Sequence, residues 1–359
     1  MPKTDRRKTF ARDLTRWYQK HHRDLPWRAT RDPYHIWASE IMLQQTTVNA
    51  VIPYYERWLK TFPTVFDLAR ADIHDVLKAW QGLGYYARAK NFHKAAGLVV
   101  DDHGGKLPAD PVLVRSLPGF GPYTTGSVLS IAYDARLTII DANVRRVVMR
   151  LLALPGEADT QQDKKVTAFL EKVLPRKGVG DFNQALMELG ALVCRSKEPL
   201  CLLCPVRSYC SAYVQGKQEI IPKPKQKILK DIETVIAVIR HKGKFFIQKR
   251  PSKGLLADLW EFPGGKVEKG ESAREALGRE MREELGVKIV DARHLFDVRH
   301  FYTTFRVKLS VWSVETASLL KTDKIHQWVL SRDFIHYPMP SGTVKVIEKL
   351  TKALTYMHK

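Results

Sequence analysis

Apolar residues recur at helical spacing through the first part of the chain and alternate with polar ones in the last part. Stretches such as "YHIWASEIMLQQTTVNAVIPYYERWL" and "FNQALMELGALV" return an apolar residue every three or four positions, which predicts amphipathic helices. Later, "IETVIAVIR", "KFFIQKR" and "TTFRVKLSVWSV" are short, β-branched and near-alternating, which predicts strands. Between the two textures lies a polar, Pro/Lys-rich segment, so the pattern divides the chain into a helical domain over 1–215, a linker over 216–230 and a mixed α/β domain over 231–359. The last domain contains one clear helix, Ala273 to Leu285, whose apolar arc is Ala273, Ala276, Leu277, Met281 and Leu285. Glu280 and Glu284 fall inside that arc. Carboxylates one turn apart repel each other and are costly to desolvate, so the pattern requires a cation between them.

Two places in the helical domain break the regular pattern. Asp32 and Pro33 are suited to cap a helix running toward Gln45, and Glu40 projects from the middle of its apolar face, among Ile36, Trp37, Ile41 and Leu43. A carboxyl in such a setting either stays protonated and serves as a general acid or is neutralised by a structural Arg. In "LPGFGPYTTG", Leu117 to Gly121 ends one helix and Thr124 onward starts another. Gly119 and Gly121 permit a tight turn whose backbone amides could hold a phosphate, although an ordinary helix–helix turn has the same composition. Asp141, ahead of "ANVRRVVMRL", could cap that helix or do chemistry.

Charge sharpens the picture. Lys and Arg number 59 against 38 Asp and Glu, a net charge of +21. Residues 1–230 carry +14 (36 basic, 22 acidic) and residues 231–359 carry +7 (23 basic, 16 acidic). A basic excess on both parts favours a polyanion such as nucleic acid. No apolar run approaches the roughly 20 residues of a membrane span and no signal core follows the basic start, so no membrane partner and a cytoplasmic, nucleoid-associated setting are expected. All four cysteines stand close together as Cys194-x6-Cys201-x2-Cys204-x5-Cys210, a set suited to either a structural zinc or an iron–sulfur cluster.

"LPGFGPYT", the downstream Asp141 and the 6-2-5 cysteine spacing together resemble the helix-hairpin-helix DNA glycosylases of the endonuclease III superfamily that carry a [4Fe–4S] cluster. Within it, "LPWR", "SEIMLQQT", "GLGYYARAKN" and "DANVRRV" resemble the MutY adenine glycosylases, over essentially residues 10 to 215. The resemblance implies Glu40 as proton donor to adenine, Asp141 as stabiliser of the charged sugar, and Tyr123 and Asn143 as residues that hold these carboxylates and the sugar. It also implies Gln45 and Tyr85 as wedges beside the opposing base, with Tyr86 left to core packing. Lyase-competent relatives have a Lys where this chain has Tyr123, so a monofunctional glycosylase is expected. The cluster loop, 194–210, would order Arg195, Lys197 and Arg207 for phosphate contact.

The last domain stands where MutY proteins carry a Nudix-like reader of 8-oxoguanine, giving an all-α glycosylase fold followed by an α+β Nudix-like fold. Its box is whole: Gly265-x5-Glu271-x7-Arg279-Glu280-Met281-x-Glu283-Glu284-x-Gly286-Val287, preceded by "LWEFPGGK", which resembles MutT-type hydrolases. Two readings follow: Glu280, Glu283 and Glu284 share a Mg²⁺ and hydrolyse 8-oxo-dGTP, or the glutamates pair with Arg279 and nearby basic residues. The lesion-reading Phe-Ser-His of the family is replaced by Tyr302-Thr303-Thr304, where Thr303 keeps a hydroxyl and Thr304 offers no imidazole. The expected partner is duplex DNA with adenine opposite 8-oxoguanine or guanine, bound by a monomer.

Overall fold

The computed structural model describes residues 3–224, 229–302, 305–316 and 320–357. Tertiary contacts gather the chain into two compact units, Met1–Arg70 with Asn91–Gln226, and Ala71–Lys90 with Lys227–Lys359. This division departs from the expected boundaries at two places. Residues 71–90 group with the C-terminal residues, and the first part of the expected linker is packed, with Ile221 buried in the core of the first unit. Thr303 and Thr304 lie outside the described residues.

The helices in chain order are α1 (Lys3–His21), α2 (Pro33–Leu43), α3 (Val48–Thr61), α4 (Val65–Arg70), α5 (Ile73–Trp80), α6 (Ala87–His103), α7 (Pro111–Ser116), α8 (Pro122–Tyr133), α9 (Ala142–Leu151), α10 (Thr160–Val173), α11 (Val179–Leu192) and the short α12 (Ser211–Val214). α2 starts where its capping chemistry directs: the Asp32 carboxylate accepts from the amides of Tyr34 and His35, at 2.8 and 3.1 Å, and Pro33 fills the first turn. α2 packs on α8, while α11 crosses α1, α8 and α9, so Phe10, Leu14, Val147, Val148, Phe182 and Leu186 share one core. Gly190 makes the α9–α11 crossing possible, because a Cβ there would stand 2.5 Å from the Cβ of Asn143.

The second unit holds a mixed sheet of β1 (Lys230–His241), β2 (Lys244–Lys249), β3 (Trp260–Glu261), β4 (Ile289–Tyr302), β5 (Phe305–Thr316) and β6 (His326–Val329) in the order β3-β2-β1-β5-β4, with β6 on β2. β1 and β5 are parallel and the other pairs antiparallel. α13 (Ala273–Leu285) and α14 (Ser341–Met357) cover opposite faces. Val235, Ala237 and Ile239 of β1 join Leu277, Met281 and Leu285 of α13, whereas Ile236 and Val238 join Val346 and Leu350 of α14. Both faces of β1 are therefore buried, and its central residues read as a continuous apolar run instead of alternating. α13 has the predicted limits: Ser272 and Glu275 form a reciprocal capping box, and Gly286 closes the helix in the left-handed region at φ 61°.

Candidate active site

Glu40 projects from the middle of α2 and is 4% exposed, walled by the core of the first unit. Its Oε2 accepts from the Tyr123 hydroxyl at 2.9 Å, and the Ser127 hydroxyl, which donates to the Thr124 carbonyl at 3.2 Å, lies close by. Among the described residues no cation forms an ion pair with it. Burial raises its pKa; the hydroxyls of Tyr123 and Ser127 oppose that shift and the Asp141 charge adds to it. Tyr123 is pushed well above the usual phenol value, by burial first and then by the charges of Glu40 and Asp141, so it stays a neutral donor.

Asp141 does both things its position allowed. Its Oδ1 caps α9 by accepting from the Val144 amide at 2.6 Å, and its Oδ2 accepts from Asn143 Nδ2 at 3.0 Å. Asn143 cannot turn over, because its Oδ1 accepts from Arg146 Nη2 at 2.8 Å, and an Arg has only donors to offer. Arg146 is held in turn by the carbonyls of Gly190 and Cys194, at 2.7 and 2.8 Å. The result is a carboxyl that favours its proton beside a second, oriented carboxylate, the pair needed to protonate a leaving group and to stabilise positive charge left behind.

Sequence reasoning missed Glu188, Arg23 and Arg28. Glu188 on α11 is 1% exposed and carries two guanidiniums: Arg23 Nε and Nη2 at 2.9 and 2.8 Å, and Arg28 Nη1 and Nη2 at 3.2 and 2.8 Å. Burial opposes its ionisation, but these donors win and hold it at about 2. The available signal was a Glu inside the apolar run "ALMELGALV". The structural arginine pairing considered for Glu40 thus belongs to Glu188.

The turn between α7 and α8 is tighter than expected, with α8 beginning at Pro122 instead of Thr124. Gly119 takes φ 85°, and a Cβ there would press on Asn91 Cβ at 3.1 Å. Pro122 has no N–H, so helix geometry leaves the amides of Tyr123 and Thr124 without an intrahelical acceptor beside Gly121. Gln45 and Tyr85, both expected as wedges, share an uncommon feature: both are exposed and both are non-glycine residues in the left-handed region, at φ 57° and 49°. Tyr86, expected in a core, is buried.

The cysteine loop follows α11 as two single 3₁₀ turns, Cys201–Leu203 and Arg207–Tyr209. Its four thiols lie within each other's electrostatic reach, and burial pushes Cys204 up to about 12. The fully buried Arg150 donates to the Cys194 sulfur at 3.3 Å and to the carbonyls of Arg195, Ser196 and Ile221. A guanidinium is thereby fixed against the loop. Among the described residues, no three His, Cys, Asp or Glu side chains converge to hold a single metal ion.

In the Nudix box the chain supplies cations itself. Arg279 makes a two-pronged contact with Glu271 at 2.9 and 3.0 Å and reaches Glu280 and Glu283 at 2.8 and 3.2 Å. Glu284 accepts from Gln248 Nε2 and the Gly264 amide at 2.8 and 3.0 Å and pairs with Lys324. Burial still pushes Glu280 up against the pull of Arg279. Arg279 and Lys324 thus stand against the carboxylates that the first reading assigns to Mg²⁺, with Glu283 the most exposed of them.

Comparison with known proteins places these features in context. Residues 38–176 match the HhH-GPD superfamily base excision DNA repair protein family and residues 234–349 match the NUDIX domain. The adenine DNA glycosylase of Mus musculus is 32% identical over 395 residues, covering 94% of this chain and 77% of that protein. That of Buchnera aphidicola subsp. Acyrthosiphon pisum (strain APS) is 31% identical over 349 residues, covering 96% and 98%. Among solved structures, a thermostable thymine-DNA glycosylase matches 59% of this chain and 98% of its own, at 28% identity and a TM-score of 0.53. With matches of this length running through both the Glu40 pocket and the Nudix box, the chain belongs to the adenine DNA glycosylase family.

Proposed function

We propose that this chain releases adenine from duplex DNA in which adenine stands opposite 8-oxoguanine or guanine, by hydrolysing the N-glycosidic bond and leaving an abasic site. The observation that carries the reading is the pairing of a buried Glu40, free of any ion pair among the described residues, with Asp141 held by Val144 and Asn143. Adenine leaves poorly as an anion, so a base flipped from the stack must be protonated first. Glu40 gives up that proton, Tyr123 holds its carboxylate, and Asp141 offsets the positive charge growing on the sugar. Glu40, once ionised, can accept a proton from the attacking water. Tyr123 stands where an amine nucleophile would be required for strand cleavage, which supports a monofunctional enzyme.

Cys194, Cys201, Cys204 and Cys210 would hold a [4Fe–4S] cluster, whose irons each accept one thiolate and so tie the loop to itself. Arg150 sets a guanidinium donor on the Cys194 sulfur at that place. The amides before Thr125, with Gly119 and Gly121, would take a DNA phosphate, and Gln45, Tyr85 and Thr303 would meet the opposing strand. Hydrolysis of 8-oxo-dGTP is not part of the proposal, because Arg279 and Lys324 occupy the box carboxylates.

The test is single-turnover excision on duplexes with adenine opposite 8-oxoguanine, guanine or thymine, for wild type and Glu40→Gln. Base release from the first two only, strands intact until alkali is added, and loss of release in the variant are the expected results. Normal excision by Glu40→Gln, or strand cleavage without alkali, would sink the assignment. Iron analysis near four per chain, with the visible absorption of an iron–sulfur centre, tests the cysteine reading.

A further inference from the structure

We propose that Tyr86 is a positioning residue that clamps the Tyr85 wedge to the second unit, and that tight binding of a mispair depends on this clamp. The inference rests on the reading of Tyr85 as a wedge given under the proposed function.

Tyr86 is 3% exposed, and its hydroxyl donates to the Met339 carbonyl at 3.0 Å while accepting from the Gly82 amide at 3.4 Å. The Met339 amide donates back to Gln81 Oε1 at 3.2 Å, so the loop from Gln81 to Tyr86 holds both backbone polar groups of one buried residue far along the chain. Three neighbouring residues follow the same line: a His74 ring nitrogen on the His336 carbonyl at 2.8 Å, Lys78 on the Tyr337 carbonyl at 3.3 Å, and Lys90 on the Ser252 carbonyl at 3.0 Å and on the Asp258 carboxylate. Residues 71–90 are thereby built into the second unit, although they are separated from its remainder in sequence by α7 to α12 and the cysteine loop.

What the clamp holds is an aromatic ring in a disfavoured state. Tyr85 is 42% exposed at φ 49°, a backbone region that bulky residues persist in only when their surroundings dictate it. The loop is stiff on its near side as well. Arg88 donates to the carbonyls of Leu83 and Gly84 at 3.1 Å each, and Trp80 Nε1 donates to that of Gly84 at 3.0 Å. Removing the Tyr86 hydroxyl leaves the buried Met339 carbonyl without that donor and frees the residue next to Tyr85.

The experiment uses the full chain carrying Glu40→Gln, so that binding is read without excision, and measures affinity for duplexes with adenine opposite 8-oxoguanine, guanine or thymine. Tyr86→Phe and Tyr85→Leu are introduced singly and together, and Gln81→Met serves as a second way to open the clamp. Expected is about tenfold weaker binding of the mispairs by Tyr86→Phe, less than about twofold change with thymine, and no further loss when it is added to Tyr85→Leu, because both substitutions act through one ring. Gln81→Met should behave alike. Additive losses would overturn the proposal, since Tyr86 would then act by packing alone. No effect of Tyr85→Leu would remove the wedge and the clamp together. A wild type that does not distinguish 8-oxoguanine from guanine would count against the lesion reading only, and the cycle measured opposite guanine would still decide the clamp.

Discussion

Two groups of carboxylates in this chain live in opposite circumstances. Glu40 meets hydroxyls and no ion-paired cation among the described residues, and its proton is held more tightly than usual. Glu271, Glu280 and Glu283 share Arg279, and Glu284 faces Lys324, Gln248 and the Gly264 amide. The first arrangement keeps a group able to move a proton, and the second ties its carboxylates to cations of the chain itself. An intact motif therefore tells less about chemistry than the partners its side chains have found.

Predictions that test this contrast run from large to small. Glu40→Gln should lower adenine release by about a thousandfold or more while DNA affinity is retained, as measured by single-turnover kinetics and a binding titration. Because its pKa is raised, wild-type excision should fall as pH climbs through that value, and a profile flat toward alkaline pH would contradict the acid role. Glu188→Gln should cost about 3 kcal/mol in urea unfolding, because it strands two guanidiniums against the core. The stability supplied by Glu188 is present above the ordinary carboxylate pKa and is lost as pH falls toward about 2, so the difference between variant and wild type should shrink in acid.

Asp141→Asn keeps a capping oxygen and removes the charge. Excision should drop about a hundredfold while stability stays within about 0.5 kcal/mol, and a large loss of stability would make capping its main role. Lys324→Met should strengthen Mg²⁺ binding by several-fold in a calorimetric titration without changing adenine release; no change in Mg²⁺ affinity would show that Lys324 does not guard the box. Glu283→Gln, largely exposed and only edge-on to Arg279, should alter stability by less than about 0.5 kcal/mol.

Much of this was legible beforehand. The limits of α13 followed from its apolar spacing with Ser272 and Gly286, and α2 began at Asp32 because a carboxylate and a proline define a helix start locally. The strands β1, β2 and β5 were readable from β-branched runs. β4 was not, since its half-buried pattern breaks at irregular pairing between Ile289 and Asp291 and between His294 and Phe296. The break from Leu117 was read where α7 ends, but the start of α8 was placed two residues late, at Thr124, because Pro122 fits the first helical position.

The sequence by itself determined the limits of α13, the start of α2, the runs that form β1, β2 and β5, and the family to which the motifs point, because these rest on local spacing and capping. Tertiary structure alone decided that Glu188 takes the arginines and Glu40 does not, that Arg279 and Lys324 supply the cations of the Nudix box, and that residues 71–90 join the C-terminal unit. The physical reason is common to all three. Partners such as Arg28 and Glu188 or Tyr86 and Met339 are brought together by packing across long stretches of chain, and no local pattern records which of the available charges and donors will arrive.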